Sequence, residues 1–208
     1  MRNCTHFKLS KSKFAILFIM LGLTLVISGC FIPTSPTKLE YAFDMYGMDL
    51  PKNKQLYLSH NIWYNSPYDI STINFHSGTI IPFGTKIYLI SSEHGKVQLK
   101  IDGNETIFTI NNDKNVSLLP DSSAYNQIFT DKNPLQENKN IPKETLEKLE
   151  KGEIEVGMPQ SYVVLAFGRP PIQLNPGKSS TWTYLINKGL KTVHYVFKND
   201  KVTYIFYN

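Results

Sequence analysis

The 208-residue sequence predicts an α+β protein, in which a small, barrel-like all-β domain precedes two helices packed on a three-stranded antiparallel sheet. Three observations predict this class. Short apolar segments alternate with turn residues over 55–112, which is typical of a small barrel or sandwich. Two short segments after residue 140 each begin with proline and end with glycine, as helices do. Three further segments of alternating character close the chain.

The strands of the first domain are predicted at residues 86–91, 96–101 and 106–110. If Gly103-Asn104 is a two-residue turn, the register of the second hairpin pairs Ile101 with Thr106, Leu99 with Phe108 and Val97 with Ile110. The apolar residues of both strands then share one face, as a half-buried antiparallel pair requires. Aromatic residues at 61–64 and 67–68 are interpreted as barrel core or, alternatively, as a ligand platform.

Residues 113–140 are rich in Asn, Asp, Ser, Lys and Pro and are interpreted as a linker, in which Tyr125 and Phe129 are local anchors. The second domain is assigned to residues 141–208. Residues 142–151 predict a solvated helix with i,i+4 ion pairs. Residues 159–167 predict a buried helix, because apolar side chains cover too wide an arc for a surface helix.

The last strands are predicted at residues 181–186, 191–198 and 201–207, with Asn199-Asp200 as the final turn. This register places Phe197 opposite Val202, Tyr195 opposite Tyr204 and Val193 opposite Phe206, and this face is assigned to the helices. The other face carries Val196, Ile205 and Tyr207 and is too apolar for a plain solvent face. We expect it to pack between the domains or to form a partner surface, and the sequence does not decide between these alternatives.

The N-terminus has the pattern of a secretory signal: basic residues, an apolar run at 14–27, then Ser28, Gly29 and Cys30. Ile27-Ser28-Gly29-Cys30 resembles the lipobox of bacterial lipoproteins. The resemblance implies that residues 1–29 are a cleaved signal, that Cys30 carries acyl chains such as palmitate, and that residues 30–54 form a lipidated tether. Phe31 follows the cysteine where an inner-membrane protein often has Asp, which implies the outer membrane. A retained membrane helix or an ordinary signal is the alternative.

Composition excludes several functions for the mature chain. Removing the four basic residues of the signal lowers the formal net charge of +5 to about +1, so no basic footprint for nucleic acid remains. The histidines lack metal-ligand spacing and read as ordinary residues. We therefore expect no enzyme activity, no catalytic residues, no cofactor, no metal and no small-molecule substrate.

The C-terminal third resembles a known family through four elements that occur in order: Val156-Gly157-Met158-Pro159, the run 164–170 ending in Gly-Arg-Pro, Trp182-Thr183-Tyr184, and the final hairpin at 193–202. These resemble the SmpA/OmlA (BamE-like) family of outer-membrane lipoproteins. The resemblance implies two helices against a three-stranded sheet, with Trp182 as a core anchor.

The resemblance also implies a function. Members of that family are accessories of the machine that inserts β-barrel proteins into the outer membrane. We therefore expect a lipid-anchored protein on the periplasmic face, bound to the membrane through Cys30 and to an envelope protein of the barrel-assembly complex. The alternatives are a peptidoglycan- or peptide-binding module and an inhibitor of a periplasmic enzyme.

Overall fold

The computed structural model describes residues 55–93, 95–171 and 180–208, and all of them belong to one compact unit. The predicted signal peptide, tether and lipidation site at Cys30 lie outside the described residues. Two small sheets and one larger sheet organise the unit. The α-helices that the structure describes lie between residues 114 and 167.

The first sheet has six strands and is curled. In chain order these strands are β1 (Gln55–Leu58), β3 (Ile70–Ser71), β5 (Lys86–Glu93), β6 (Lys96–Ile101), β7 (Ile107–Asn111) and β8 (Phe129–Thr130). Their order across the sheet is β3-β7-β6-β5-β1-β8, and every pair is antiparallel except β3 with β7. Strands β2 (Ile62–Tyr64) and β4 (Thr79–Ile81) form a separate two-stranded ribbon.

The β6–β7 hairpin has the predicted register. Leu99 lies opposite Phe108 and Val97 opposite Ile110, and all four side chains are buried in the first core. These two predicted pairs are confirmed, whereas Ile101 and Thr106 lie just beyond the paired residues. Each carboxylate near the turn has a lysine partner, since Asp102 lies 3.4 Å from Lys86 and Glu105 lies 2.6 Å from Lys100. Such exposed pairs contribute little to stability.

The segment interpreted as a linker is built into the first sheet and its core. It contains helices α1 (Lys114–Ser117), α2 (Asp121–Ile128) and α3 (Pro134–Glu137) as well as β8. Tyr125, Ile128 and Phe129 are buried in the first core. The Tyr125 hydroxyl donates to the carbonyls of Gly95 at 2.6 Å and Ile110 at 3.0 Å, which anchors α2 to the sheet. Burying three large side chains outweighs the polar composition around them.

Helices α4 (Lys143–Glu150) and α5 (Gln160–Phe167) confirm the two predicted helical segments. Each follows a proline, which fixes φ for helix entry while lacking the N–H that would go unpaired there. On α4, Lys143 lies 3.9 Å from Glu147 and Lys148 lies 3.2 Å from Glu144 as i,i+4 pairs. Helix α5 is apolar on most sides, and Val163 and Ala166 are fully buried.

Strands β9 (Thr181–Ile186), β10 (Lys191–Lys198) and β11 (Lys201–Tyr207) have the predicted bounds and form a sheet in the order β11-β10-β9. The turn between β10 and β11 has positive φ at Asn199 and Asp200, which confirms that prediction.

The predicted register of the last hairpin is wrong beyond its first pair. Phe197 lies opposite Val202 as predicted, but Thr203 is an extra residue, so Val196 lies opposite Tyr204 and Tyr195 opposite Ile205. The Thr203 hydroxyl donates to the Val196 carbonyl at 3.1 Å across this bulge. A one-residue shift exchanges the two faces of a strand. Ile205 and Tyr207 therefore lie on the face of Tyr195 and Val193.

The predicted fold class is wrong in both of its parts. The first sheet is not a small self-contained barrel, because its last strand, β8, and the helices around it come from residues after 112. The C-terminal part after residue 180 is all-β, and α4 and α5 pack against each other rather than forming a layer on that sheet. The reason lies in the second core, which also takes in side chains from the N-terminal half.

The second core joins distant parts of the chain. Its buried members are Phe83, Leu149, Met158, Val163, Leu165, Ala166, Phe167, Tyr184, Val193, Tyr195, Phe197 and Val202. Asn61, which is fully buried, connects four segments here. Its side-chain amide donates to the Leu149 carbonyl at 2.7 Å and accepts from the Phe83 N–H at 3.0 Å, and its backbone N–H donates to the Leu165 carbonyl at 3.1 Å. One polar side chain thus connects β2 to the end of α4 and to the loop before β5.

Candidate functional site: an aromatic cleft

A cleft of about 360 Å³ opens where β2, the two helices and the C-terminal sheet meet. This volume is within the range of small-ligand and side-chain pockets. The cleft is lined by Trp63, His76, Lys151, Gly152, Glu153, Ile154, Phe167, Ile186, Val193, Tyr195 and Tyr207. We call it the Trp63 cleft.

Four aromatic rings form a continuous wall in this cleft. Trp63 packs edge-on against His76 with ring centroids 4.7 Å apart, and His76 lies 4.5 Å from Phe167. Phe167 in turn lies 5.4 Å from both Trp63 and Tyr195. Rings in edge-on and tilted contact stabilise one another beyond the area that they bury. The wall is therefore a preformed apolar surface.

His76 occupies this wall as a neutral ring. Its Nδ1 lies 2.8 Å from the Leu185 carbonyl and its Nε2 3.3 Å from the Phe167 carbonyl. Burial lowers the pKa of His76 from 6.5 to about 4, although both carbonyls act in the opposite direction. His76 also has a φ of 47°, a conformation that costs energy outside glycine and that the surrounding packing maintains. At neutral pH its contacts with two backbone carbonyls make it a positioning group for the rings.

His60 lies behind the wall and is also neutral. Burial, and next the charge of His76, lower the pKa of His60 from 6.5 to about 4. Its Nδ1 lies 2.9 Å from the Ser59 hydroxyl, which donates to the Gln127 carbonyl. Gly168, with φ 79°, closes α5 directly against this ring: a Cβ there would lie 2.7 Å from two atoms of the imidazole. A glycine at 168 is needed both for the backbone conformation and for the space.

Gly152 sets the position of Trp63 at the floor of the cleft. It has φ 73°, as expected for the glycine that follows a helix, and a Cβ there would lie 2.5 Å from Cζ2 of the indole. We expect Gly152→Ala to lower the free energy of unfolding by about 2–3 kcal/mol and to shift the tryptophan emission, because the indole must move. Urea unfolding followed by fluorescence measures both effects.

Gly103 provides a matched control for that substitution. Its φ is 75°, nearly that of Gly152, but a Cβ there meets nothing within 4 Å. Gly103→Ala is therefore expected to lower the free energy of unfolding by about 1 kcal/mol, through backbone strain alone, and to leave the tryptophan emission unchanged. Equal losses of stability in the two variants would show that the indole does not pack on Gly152.

The three residues of the predicted partner surface do not form one surface. Tyr207 lines the Trp63 cleft and is 67% exposed, and Ile205 lies half-buried on the same face of the sheet. Val196 lies on the opposite face beside Tyr204 and Phe206. On that face His194 stacks on Phe206 with centroids 4.3 Å apart. The bulge at Thr203 is responsible for this division.

Sequence reasoning missed most of the cleft. Trp63 belongs to the aromatic cluster for which a ligand platform was one of two interpretations, and it does line a cleft. His76, Gly152 and Phe167 were not singled out as site residues, because nothing in their local sequence shows that they meet. The glycines that follow the two helices, Gly152 and Gly168, are the one local signal that was present. Trp182 is half-buried and packs 4.9 Å from Phe197, at the edge of the second core.

Other cavities differ from the Trp63 cleft in size or chemistry. A cleft of about 390 Å³ on β5, β6 and β7 is lined by the polar residues Ser91, Glu93, Lys96, Gln98 and Thr109. Another, of about 320 Å³, lies beside Trp63 and Tyr64. A cavity beside His60, with Pro170 and Pro171 in its wall, has a volume of about 40 Å³, enough for no more than one or two waters. Over 55–93, 95–171 and 180–208, no three His, Cys, Asp or Glu side chains are placed to bind a metal ion. Within the same ranges, no helix is long and apolar enough to span a bilayer.

The chain matches no protein-family model, no curated protein and no solved structure. The similarity to the SmpA/OmlA family therefore stays a prediction from the four sequence elements.

Proposed function

We propose that this protein is a lipid-anchored binding protein of the bacterial outer membrane, which faces the periplasm and serves as a non-enzymatic accessory in β-barrel protein assembly. The Trp63 cleft is the observation that carries the proposal. Tyrosine and tryptophan side chains in a preformed cleft are among the residues that most often dominate protein–protein binding. Tyr207 contributes one such side chain at the open side of the cleft.

The chemistry of the cleft favours binding over catalysis. Both ring nitrogens of His76 face backbone carbonyls, and the neutral ring donates its single N–H to one of them, so neither nitrogen is directed at the open side of the cleft. The charged groups of the lining, on Lys151 and Glu153, lie on the turn after α4. The anchor is supplied by Cys30 in its lipobox-like sequence, so a partner would be met at the membrane surface.

Site-directed photocrosslinking in the producing cell tests this function. With a photoreactive phenylalanine in place of Tyr207, we expect an adduct with a subunit of the barrel-assembly complex. Tyr68, which is 70% exposed and does not line the cleft, is the matched control position and should give no such adduct. In a Cys30→Ser background we expect the protein in the soluble fraction and at least a tenfold loss of adduct.

The same experiment can overturn the proposal. Identical adducts from positions 207 and 68, or none from either, would show that the cleft does not face a partner. Unchanged membrane association of Cys30→Ser would remove the lipid anchor from the proposal.

A further inference from the structure

Strand β11 is an edge strand whose first part is covered. The Gly157 N–H donates to the Val202 carbonyl at 2.7 Å, the Val202 N–H donates to the Met158 carbonyl at 2.9 Å, and Gln160 N–H donates to the Asp200 carbonyl at 2.8 Å. An antiparallel bridge joins Pro159 to Lys201 at the centre of these bonds. The covering segment ends at the Thr203 bulge, and no strand or bridge among the described residues pairs with the outer edge of residues 203–207, which we call the open edge.

The register identifies the open backbone groups. Thr192 and Asn208 exchange both of their backbone hydrogen bonds, at 2.9 and 3.0 Å. Because such pairs alternate along an antiparallel ladder, His194 with Phe206 and Val196 with Tyr204 bond in the same way. The N–H and C=O groups of Ile205 and Tyr207 then point away from β10. Neither residue has an outward backbone bond to any residue that the structure describes.

This open edge lacks the usual protection. Proteins protect exposed edges with charged residues, prolines or bulges. Here the lysine of the strand, Lys201, and the bulge both lie at the covered end. The open end reads Tyr204-Ile205-Phe206-Tyr207, with neither charge nor proline. An uncovered apolar edge of this kind is a template for another strand.

The open edge also borders the Trp63 cleft. Ile205 and Tyr207 lie on the sheet face of Tyr195 and Val193, and three of these four side chains line the cleft. Residues 203–207 extend over about 17 Å at the rise of a strand, which suits about five residues of an added strand. Successive side chains of an added strand alternate between the two faces, so every second one enters the cleft.

The charges that line the cleft indicate which side chains of an added strand it can accept. Its lining holds one lysine, Lys151, and one glutamate, Glu153, so it has no formal net charge. The rest of the lining is aromatic or aliphatic apart from His76, which is neutral, and Gly152. Polar groups of these residues also reach the surface of the cleft, but it has no net charge to attract acidic or basic side chains. Against its aromatic wall, uncharged apolar side chains are buried at the lowest cost.

We propose that β11 binds an extended segment of a partner protein as an added strand, which pairs with the backbone of Ile205 and Tyr207 and inserts alternate apolar side chains into the Trp63 cleft. This inference rests on the proposed binding function and gives the class of partner: a segment with apolar residues at every second position and no proline at the paired positions. Main-chain hydrogen bonds supply affinity and the cleft supplies specificity in this mode of recognition.

Selection from a random eight-residue peptide display library on the full chain tests the proposal. We expect enriched sequences to have apolar residues at alternate positions. The strongest peptide is then synthesised with N-methyl groups on its odd or on its even amides. Methylation of one set, which faces β11, should weaken binding at least tenfold, and methylation of the other set should change it less than twofold.

Two variants of one residue complete the test. Ile205→Pro removes an outward N–H without affecting the hydrogen bonds to β10. It should weaken the affinity for the peptide about fivefold to tenfold. Ile205→Val keeps the N–H and should bind within twofold of the parent. Circular dichroism establishes that both variants fold, and the N-methyl comparison needs no change in the protein.

The outcomes separate this inference from the proposed function. If both N-methyl sets bind equally, the peptide does not add to the sheet, and the inference is overturned while a cleft-binding function stands. A parallel selection uses the Trp63→Ala variant in place of the parent protein. If the parent enriches no peptides beyond those that this variant enriches, the inference also fails. If ultracentrifugation shows a dimer that Ile205→Pro dissociates, the edge is occupied by a second copy of the chain. Loss of the Tyr207 adduct in cells overturns the proposed function itself.

Discussion

Asn61→Ala is expected to lower the free energy of unfolding by about 3–4 kcal/mol. The side chain is fully buried and bonds to the Leu149 carbonyl and the Phe83 N–H, at 2.7 and 3.0 Å. Removing it leaves the Phe83 N–H without its hydrogen bond and opens a cavity between β2 and α4. The Leu149 carbonyl loses one of its donors and keeps the Gly152 N–H at 2.9 Å. Each unsatisfied buried backbone group costs about 1–3 kcal/mol. Urea unfolding monitored by circular dichroism measures the loss.

Asn65→Ala is the matched control for this substitution. Asn65 is exposed and makes one long contact, 3.3 Å to the Ser77 carbonyl. We expect its replacement to change the free energy of unfolding by no more than about 0.5 kcal/mol. A loss below about 1 kcal/mol for Asn61→Ala would contradict the role assigned to Asn61, which is to connect β2 to the end of α4 and to the loop before β5.

Acidification from pH 6.5 to pH 4 is expected to destabilise the protein by about 3–4 kcal/mol through two histidines. His60 and His76 have pKa values of about 4 in the folded state, against an ordinary value of 6.5. Between these values the unfolded chain binds more protons than the folded one, so the free energy of unfolding decreases as the pH falls. A shift of this size corresponds to about 3 kcal/mol for buried His60, and less for half-buried His76. The slope falls to about half of its maximum near pH 6.5 and to nearly zero above about pH 7.5, where the histidines are neutral in both states.

The variants His60→Gln and His76→Gln isolate this effect from the titration of carboxylates. Each single variant should lose part of the slope of stability between pH 6.5 and 4, and the double variant should lose most of it. Urea unfolding at half-unit pH steps gives the slopes. Parallel curves for the parent and the double variant would show that other groups cause the acid sensitivity.

The predicted elements and the predicted fold differ in how well they agree with the structure. The bounds of β9, β10 and β11, the two helices after residue 140, and the pairing of Leu99 with Phe108 follow from features within about ten residues. Alternation of apolar residues and the prolines and glycines at the ends of segments act at that range. The fold class depends on contacts across the whole chain, and it was predicted wrongly.

The last hairpin shows most clearly what the local sequence cannot predict. Its turn at Asn199 and Asp200 is encoded locally, and the first pair beyond it is correct. The bulge at Thr203 appears where the segment containing Met158 and Pro159 pairs with the outer edge of β11. That segment lies more than 40 residues earlier in the chain, so the sequence of the hairpin contains no sign of it.

By itself, the sequence determined strands β5, β6, β7, β9, β10 and β11, the two helices after residue 140 and the turns of the last two predicted hairpins. It also contains the lipobox-like segment that predicts a lipid anchor. The tertiary structure decided that Tyr207 and Ile205 share the face of Tyr195, that Trp63 and His76 meet Phe167, and that residues 113–140 belong to the first sheet. The physical reason is the range of the forces involved. Backbone conformation and periodicity are local properties, whereas burial rewards any apolar side chain that reaches a core, however distant it is along the chain.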